Sequence, residues 1–389
     1  MSITYPGGFR AAGVAAGLKT TGKPDVALVV NDGPLHNAAA VFTSNRVAAA
    51  PVLWSRQVVT DGRVDAVVLN SGGANACTGP EGFQNTHRTA EVTADLLGVS
   101  ATDVFVCSTG LIGEQLPMDR LLAGVTDAAG ALGRGGGPAA AEAIRTTDTV
   151  SKEARYPATA DSASEGYAIG GMAKGAGMLA PGLATMLVVL TTDAALDPGA
   201  LDAALREATR VSFDRTDADG CMSTNDTVVL LASGAAGIAP DQAQFTAALT
   251  QVCLDLAAQL IQDAEGASHT IAVTTVNAAS ERDAEVVSRA VARSNLFKTA
   301  IFGNDPNWGR VLAAVGTTDA VFEPDRLNVA MNGVQICRNG GIGDPRDLVD
   351  LTARDVIVEI DLAAGPASAT IWTNDLTHEY VHENSAYSS

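Results

Sequence analysis

Thr185 stands between a Gly- and Pro-rich run, Lys174-Gly-Ala-Gly-Met-Leu-Ala-Pro-Gly-Leu-Ala184, and an apolar, β-prone segment, Met186 to Leu190. Inside an intact chain this threonine is an ordinary alcohol. Cleavage of the Ala184–Thr185 bond would give it a free α-amine, whose reference pKa of about 7.7–8.0 lets it take the proton of its own hydroxyl near neutrality. Nucleophile and base would then share one residue, with no histidine required. Gly175, Gly177 and Gly182 open strained or left-handed backbone to the run at little steric cost. A turn leading into a buried strand accounts for the same pattern.

Acyl transfer through a hydroxyl also needs donors for the tetrahedral oxyanion and groups that hold the ends of the substrate. Thr109-Gly110 follows a β-like run, Val104 to Cys107, where a glycine permits close backbone approach and a hydroxyl can donate. Lys174 is a compact cation with three donors, suited to a carboxylate. Each has a plain structural alternative: a turn at Ser108-Thr109-Gly110 and a solvated lysine in a Gly-rich loop. The five histidines form no HExxH or triad-like grouping, and His378 with His382, spaced as helix neighbours, lie in a tail; no metal is expected.

The elements that must position these residues read as mixed α/β. Short β-like runs at Val26–Val30, Ala66–Leu69 and Val104–Cys107 alternate with helix-like stretches at His87–Leu97 and Arg120–Leu132. After the Thr185 strand, Asp197-Pro198 can cap a helix to about Thr209, and Phe245, Leu249, Leu256 and Leu260 recur at helical spacing within Gln242–Ala264. Gly133-Arg-Gly-Gly-Gly-Pro138 reads as a flexible loop, Asn304–Arg310 as a structured turn-rich loop, and Val356–Ile360 and Ala369–Trp372 as strands. No repeat or low-complexity linker divides the chain.

The 389 residues are 47% hydrophobic, enough for a sizeable core, and the formal net charge of −19 disfavours nucleic acid as a partner. The N-terminus lacks a basic start followed by an apolar core, and no apolar run approaches bilayer length, so a cytoplasmic location is expected. Five scattered cysteines without a CxxC pair read as reduced, mostly buried thiols.

Gly170-Gly-Met-Ala-Lys-Gly-Ala-Gly-Met-Leu-Ala-Pro181 with Ala184-Thr185-Met-Leu resembles the self-cleaving junction of the ornithine acetyltransferase family, the glutamate N-acetyltransferases of arginine biosynthesis. Further blocks keep family order from near residue 8 to the last residue: Asn70–Gly79, Cys107–Gly113, Thr146–Asp148, Ser223–Thr227, Asp263–Gly266, Lys298–Arg310 and Glu383–Tyr387. The resemblance implies a layered helix/sheet/sheet/helix core, akin to N-terminal nucleophile aminopeptidases, with a smaller region from the second fragment. It implies cutting at Ala184–Thr185 into residues 1–184 and 185–389, both contributing to one core. It assigns the nucleophile to Thr185, the oxyanion hole to Thr109 and Gly110, and substrate contacts to Thr147, Lys174, Thr185, Glu265, Asn384 and Ser389. An ordered C-terminus follows from the last two.

The implied activity is transfer of acetyl from N2-acetylornithine to glutamate through an acetyl-Thr185 intermediate. Under that reading Lys174 meets the α-carboxylate common to both substrates, and the Glu265 carboxylate accepts from a substrate amine. No cofactor is implied, and an α2β2 assembly of the two fragments is. Whether acetyl-CoA also loads the threonine, as in bifunctional members, stays open at this point. So do two rivals: a self-processed amidase or aminopeptidase that passes the acyl group to water, and an unprocessed metabolite-binding protein on the same scaffold.

Overall fold

Three sheets carry the fold, and Thr109 and Lys174 sit at strand ends in two of them. The computed structural model describes residues 3–157, 166–179 and 186–386. Ala184, Thr185 and Ser389 lie outside the described residues.

The first sheet has the order β1 (Phe9–Val14), β2 (Val26–Asn31), β4 (Ala66–Ser71), β5 (Val104–Thr109). Its first two pairings are antiparallel and β4–β5 is parallel. β2, β4 and β5 are buried along their whole length. That is why they appear as unbroken Val/Ala/Leu runs and not as alternating ones. Helices α1 (Ala50–Val58), α2 (Gly79–Leu97) and α3 (Met118–Gly130) cover this sheet, and α4 (Gly137–Ala143) packs on β1.

The second sheet runs β3 (Asn37–Phe42), β9 (Thr227–Ala232), β8 (Leu187–Thr192), β7 (Ile169–Lys174), β6 (Lys152–Tyr156). Only β8–β9 is parallel. Side chains alternate across it: Leu187, Val189, Val229 and Leu231 join the core of the first sheet. Their neighbours Val188, Leu190, Val228 and Leu230 join the core built with α5 (Pro198–Val211) and α6 (Gln242–Gln262). The result is the expected sequence of layers, helix, sheet, sheet, helix.

A third, six-stranded sheet comes wholly from the last third of the chain: β13 (Gly341–Ile342), β12 (Val334–Arg338), β11 (Asn328–Met331), β14 (Asp355–Asp361), β10 (Thr270–Ala278), β15 (Ala367–Asn374). It shares a separate core with α7 (Glu281–Ala292), α8 (Asn295–Phe302) and α9 (Trp308–Val315). β14 alternates exposed and buried along its length, the mark of a sheet covered on one face.

Three local readings are corrected by the structure. Gly133–Pro138 is not a flexible loop: Gly133 exchanges both backbone hydrogen bonds with Ala11, at 3.0 and 3.1 Å, and Gly137-Pro138 opens α4. A Cβ on Gly136 would lie 1.8 Å from the Ala11 carbonyl oxygen, so the glycine serves a close backbone approach. α2 starts at Gly79, well before His87, because Pro80 occupies its first turn. The Asn307 side chain accepts from the Arg310 N–H, so Trp308 opens α9 where a loop was expected.

The tail is helical as α10 (His378–Ala386). All five cysteines are free; Cys107, Cys253 and Cys337 are buried, whereas Cys77 and Cys221 are exposed. Among the described residues no helix is long and apolar enough to cross a membrane.

Candidate active site

β5 ends at Thr109 and β7 at Lys174, and the two side chains meet. Lys174 Nζ donates to Thr109 Oγ1 at 3.2 Å in a buried setting. An ammonium can only donate, so the threonine oxygen accepts and its O–H remains to point at another acceptor. The Thr109 carbonyl accepts from Gly72 N–H and Gly73 N–H at 2.9 and 3.0 Å, which fixes the strand end. Gly110 follows at φ +126°, where a Cβ would lie 2.6 Å from Gly73 N and 2.7 Å from the Gly72 carbonyl carbon. Only glycine fits both the dihedral and the space.

The charge on Lys174 is embedded in a buried network. Lys152 Nζ donates to Asp148 Oδ1 and to Asp263 Oδ2, both at 2.6 Å, and Gly175 N–H donates to Asp148 Oδ1 at 2.7 Å. Burial by itself pushes the Asp148 carboxyl upward, but the ammonium groups of Lys174 and Lys152 and the Gly175 N–H outweigh it and hold its pKa at about 2. Burial pulls Lys174 below the ordinary lysine range, against the opposing charge of Asp148 above all. Such a desolvated ammonium gains more than a solvated one from an incoming carboxylate.

Three further residues form a second group. Glu265 N–H donates to the Ala176 carbonyl at 2.9 Å, and Asn384 Nδ2, on α10, donates to Glu265 Oε2 at 3.0 Å. The Glu265 carboxylate lies against the Gly177 backbone, where a Cβ would come within 2.5 Å of Oε2. Thr147 and Glu265 line one cavity of about 400 Å³. The run 174–177 thus ties the groups together: Gly175 to Asp148 and Gly177 to Glu265.

The structure therefore brings Thr109, Gly110 and Lys174 together, and separately Thr147, Glu265 and Asn384. Lys174 is buried, contrary to the solvated alternative. Thr185, Ala184 and Ser389, which complete the expected set, lie outside the described residues. Among the described residues no group of three His, Cys, Asp or Glu side chains could hold a metal ion.

Sequence reasoning missed the dipeptide that links the two strands. Asn225 Nδ2 donates to the carbonyls of Ser108, at 2.8 Å, and Ala74, at 2.6 Å; Asp226 Oδ1 accepts from Met186 N–H at 3.1 Å. One side chain clamps the residue before Thr109, the next clamps the residue after Thr185. The pair lay within the Ser223–Thr227 block, which carried no role of its own, and stood out otherwise only as a polar Asn-Asp pair set against the apolar run of β9. Asp148 Oδ2 accepts from Thr146 N–H at 3.0 Å, as in a turn, while Oδ1 serves the lysine network.

The family model for the ArgJ family matches residues 10–389. The chain is 65% identical over 389 residues to the "Arginine biosynthesis bifunctional protein ArgJ" of Streptomyces coelicolor, covering all of both chains, and 65% identical to the protein of the same name in Thermobifida fusca, again over both full lengths. Among solved structures, ornithine acetyltransferase from Mycobacterium tuberculosis, complexed with ornithine, shares 53% identity with a TM-score of 0.44, covering 48% of this chain and 96% of that one.

Proposed function

The chain belongs to the ArgJ family, and on that premise we propose that it moves an acetyl group from N2-acetylornithine to glutamate in arginine biosynthesis. In this reading the Ala184–Thr185 bond is cut by the chain itself, leaving fragments 1–184 and 185–389. The freed α-amine takes the Thr185 hydroxyl proton, and the oxygen attacks the acetyl carbonyl. Thr109 O–H and Gly110 N–H stabilise the oxyanion. The amine returns the proton to the departing ornithine nitrogen, leaving acetyl-Thr185. Glutamate then enters and its amine attacks the ester, a ping-pong cycle. Lys174 receives the α-carboxylate of each substrate in turn, while Glu265, Asn384, Thr147 and Ser389 hold the remaining ends.

The observation that supports this best is the clamp by Asn225 and Asp226, which sets the Thr109 strand end beside the start of the strand that Thr185 precedes. Aminolysis must outrun hydrolysis, and burial of Thr109 and Lys174 supports a water-poor reaction centre in which a bound amine gains by proximity. Acetyl-CoA as a second acetyl donor, an α2β2 assembly and a cytoplasmic location belong to the same proposal.

Purified protein incubated with N2-acetylornithine and glutamate should yield N-acetylglutamate and ornithine in equal amounts. Acetate without acetylglutamate would assign a hydrolase instead. Thr185→Ala should abolish both chain cutting and transfer.

A further inference from the structure

Asp226 stands directly before β9, whose parallel pairing with β8 begins at Thr227 and Leu187. Its side chain is completely buried. Oδ1 accepts from Met186 N–H; Oδ2 is equally buried and has no hydrogen-bond partner among the described residues. The hydroxyls of Ser223 and Thr43 lie near enough to pull its pKa down, yet neither bonds to Oδ2. Burial dominates and pushes the pKa well above the carboxylate range, against the Met186 N–H and the Lys174 charge. The shift favours the protonated, uncharged form of the carboxyl. A buried polar atom with no partner is rare enough to need a reason.

Covalent structure supplies the neighbour. Met186 N is bonded to the Thr185 carbonyl carbon, and standard bond lengths keep Thr185 N within about 3.6 Å of it. A carboxyl anchored on Met186 N–H is therefore tethered one residue from the nitrogen that must leave when the Ala184–Thr185 bond breaks.

We propose that Asp226 is the proton-transfer group of self-cleavage, a role that rests on the reading that this bond is cut. Thr185 Oγ attacks the Ala184 carbonyl carbon, forming a C–O bond, and the C–N bond to Thr185 breaks. The hydroxyl proton passes to the Asp226 carboxyl while the carboxyl's own proton goes to the departing nitrogen, so the acid ends as it began. The product is an ester joining Ala184 to Thr185 Oγ, with a free Thr185 amine. Water then hydrolyses the ester, giving the Ala184 carboxyl terminus and restoring the Thr185 hydroxyl.

The test is the full-length Asp226→Asn chain, which keeps an oxygen acceptor for Met186 N–H and loses the transferable proton. It should fold with a melting temperature close to that of the unaltered precursor and be cut about 10²–10⁴-fold more slowly, the span of general acid–base contributions. Hydroxylamine, which splits esters, should not speed its cutting, because formation of the ester is the slowed step and no ester accumulates. Cutting at the unaltered rate, or cutting speeded by hydroxylamine, overturns the assignment. Should the Asn chain fail to fold, Asp226→Ala with added formate asks the same question: restored cutting supports the role, and a folded Ala chain that formate leaves uncut contradicts it. An unaltered chain that is never cut defeats the reading of cleavage itself. A cut unaltered chain beside an equally cut Asn chain defeats only the role of Asp226.

Discussion

The ammonium of Lys174 and the hydroxyl of Thr109, each the last residue of its strand, meet between the two facing sheets in a 3.2 Å hydrogen bond. An ammonium has three donors and Thr109 uses one, so the same group can orient the threonine hydroxyl and receive a substrate carboxylate. Lys174→Met should lower kcat/KM for transfer by about 10²–10³-fold, the range for losing one donor at a developing charge. Circular dichroism should show the fold retained, because Asp148 keeps Lys152 and Gly175 N–H as partners. A variant with unchanged kinetics would remove Lys174 from the site.

Gly110→Ala places a methyl group against the backbone of Gly72 and Gly73 at a φ of +126°. Strain of that kind costs about 1–3 kcal/mol. Thermal unfolding should register the loss, and transfer should fall further than stability because the oxyanion donors move with the backbone. Equal activity per folded molecule would mean that this turn is structural only.

Asp148 links stability to pH. Its folded pKa of about 2 lies below the ordinary aspartate value of about 3.9, so its charge stabilises the folded state above about pH 4, and that contribution is lost as pH falls through 2. A shift of nearly two units corresponds to about 2–3 kcal/mol. Asp148→Asn should therefore be less stable than the unaltered protein at pH 7, with the gap narrowing in denaturation series taken from pH 5 towards pH 2. A gap that stays constant over that range would show that the charge is not responsible.

Glu265→Gln keeps a hydrogen-bonding side chain over Gly177 and removes the negative charge. The Asn384 contact can survive on the amide oxygen, so the melting temperature should hold. Apparent KM for acetylornithine should rise by about tenfold or more, consistent with losing a hydrogen bond to a charged group worth about 1.5–3 kcal/mol. An unchanged KM for both substrates would place Glu265 outside the binding site.

The strands that carry Thr109 and Lys174 differ in how readily the sequence revealed them. β5 showed as an apolar run beginning at Val104, extended in the structure to Thr109. β7, Ile-Gly-Gly-Met-Ala-Lys, carries two glycines and was legible only as part of a family block, since glycine weakens any strand signal. Lys174 looked like a solvated lysine because sequence spacing cannot report that Asp148, 26 positions earlier, and Lys152 would be buried beside it. Asn225 and Asp226 fell in a family block, but their clamping role was hidden for the same reason: their partners, Ser108 and Met186, are distant in the chain and contribute backbone atoms, which leave no trace in residue type. The helix starts that failed, Gly79 and Trp308, depend on a proline in the first turn and an asparagine cap inside polar stretches where apolar periodicity is silent.

The central claim is that an acetyl group rests on the threonine that begins the second fragment. Mass spectrometry of the protein mixed with N2-acetylornithine in the absence of glutamate tests it directly. The account predicts two chains, residues 1–184 and 185–389, with one acetyl group on the second, localised to Thr185 and lost on adding glutamate. A fully active sample that consists only of the uncut 389-residue chain, or that never carries acetyl on Thr185, would contradict it.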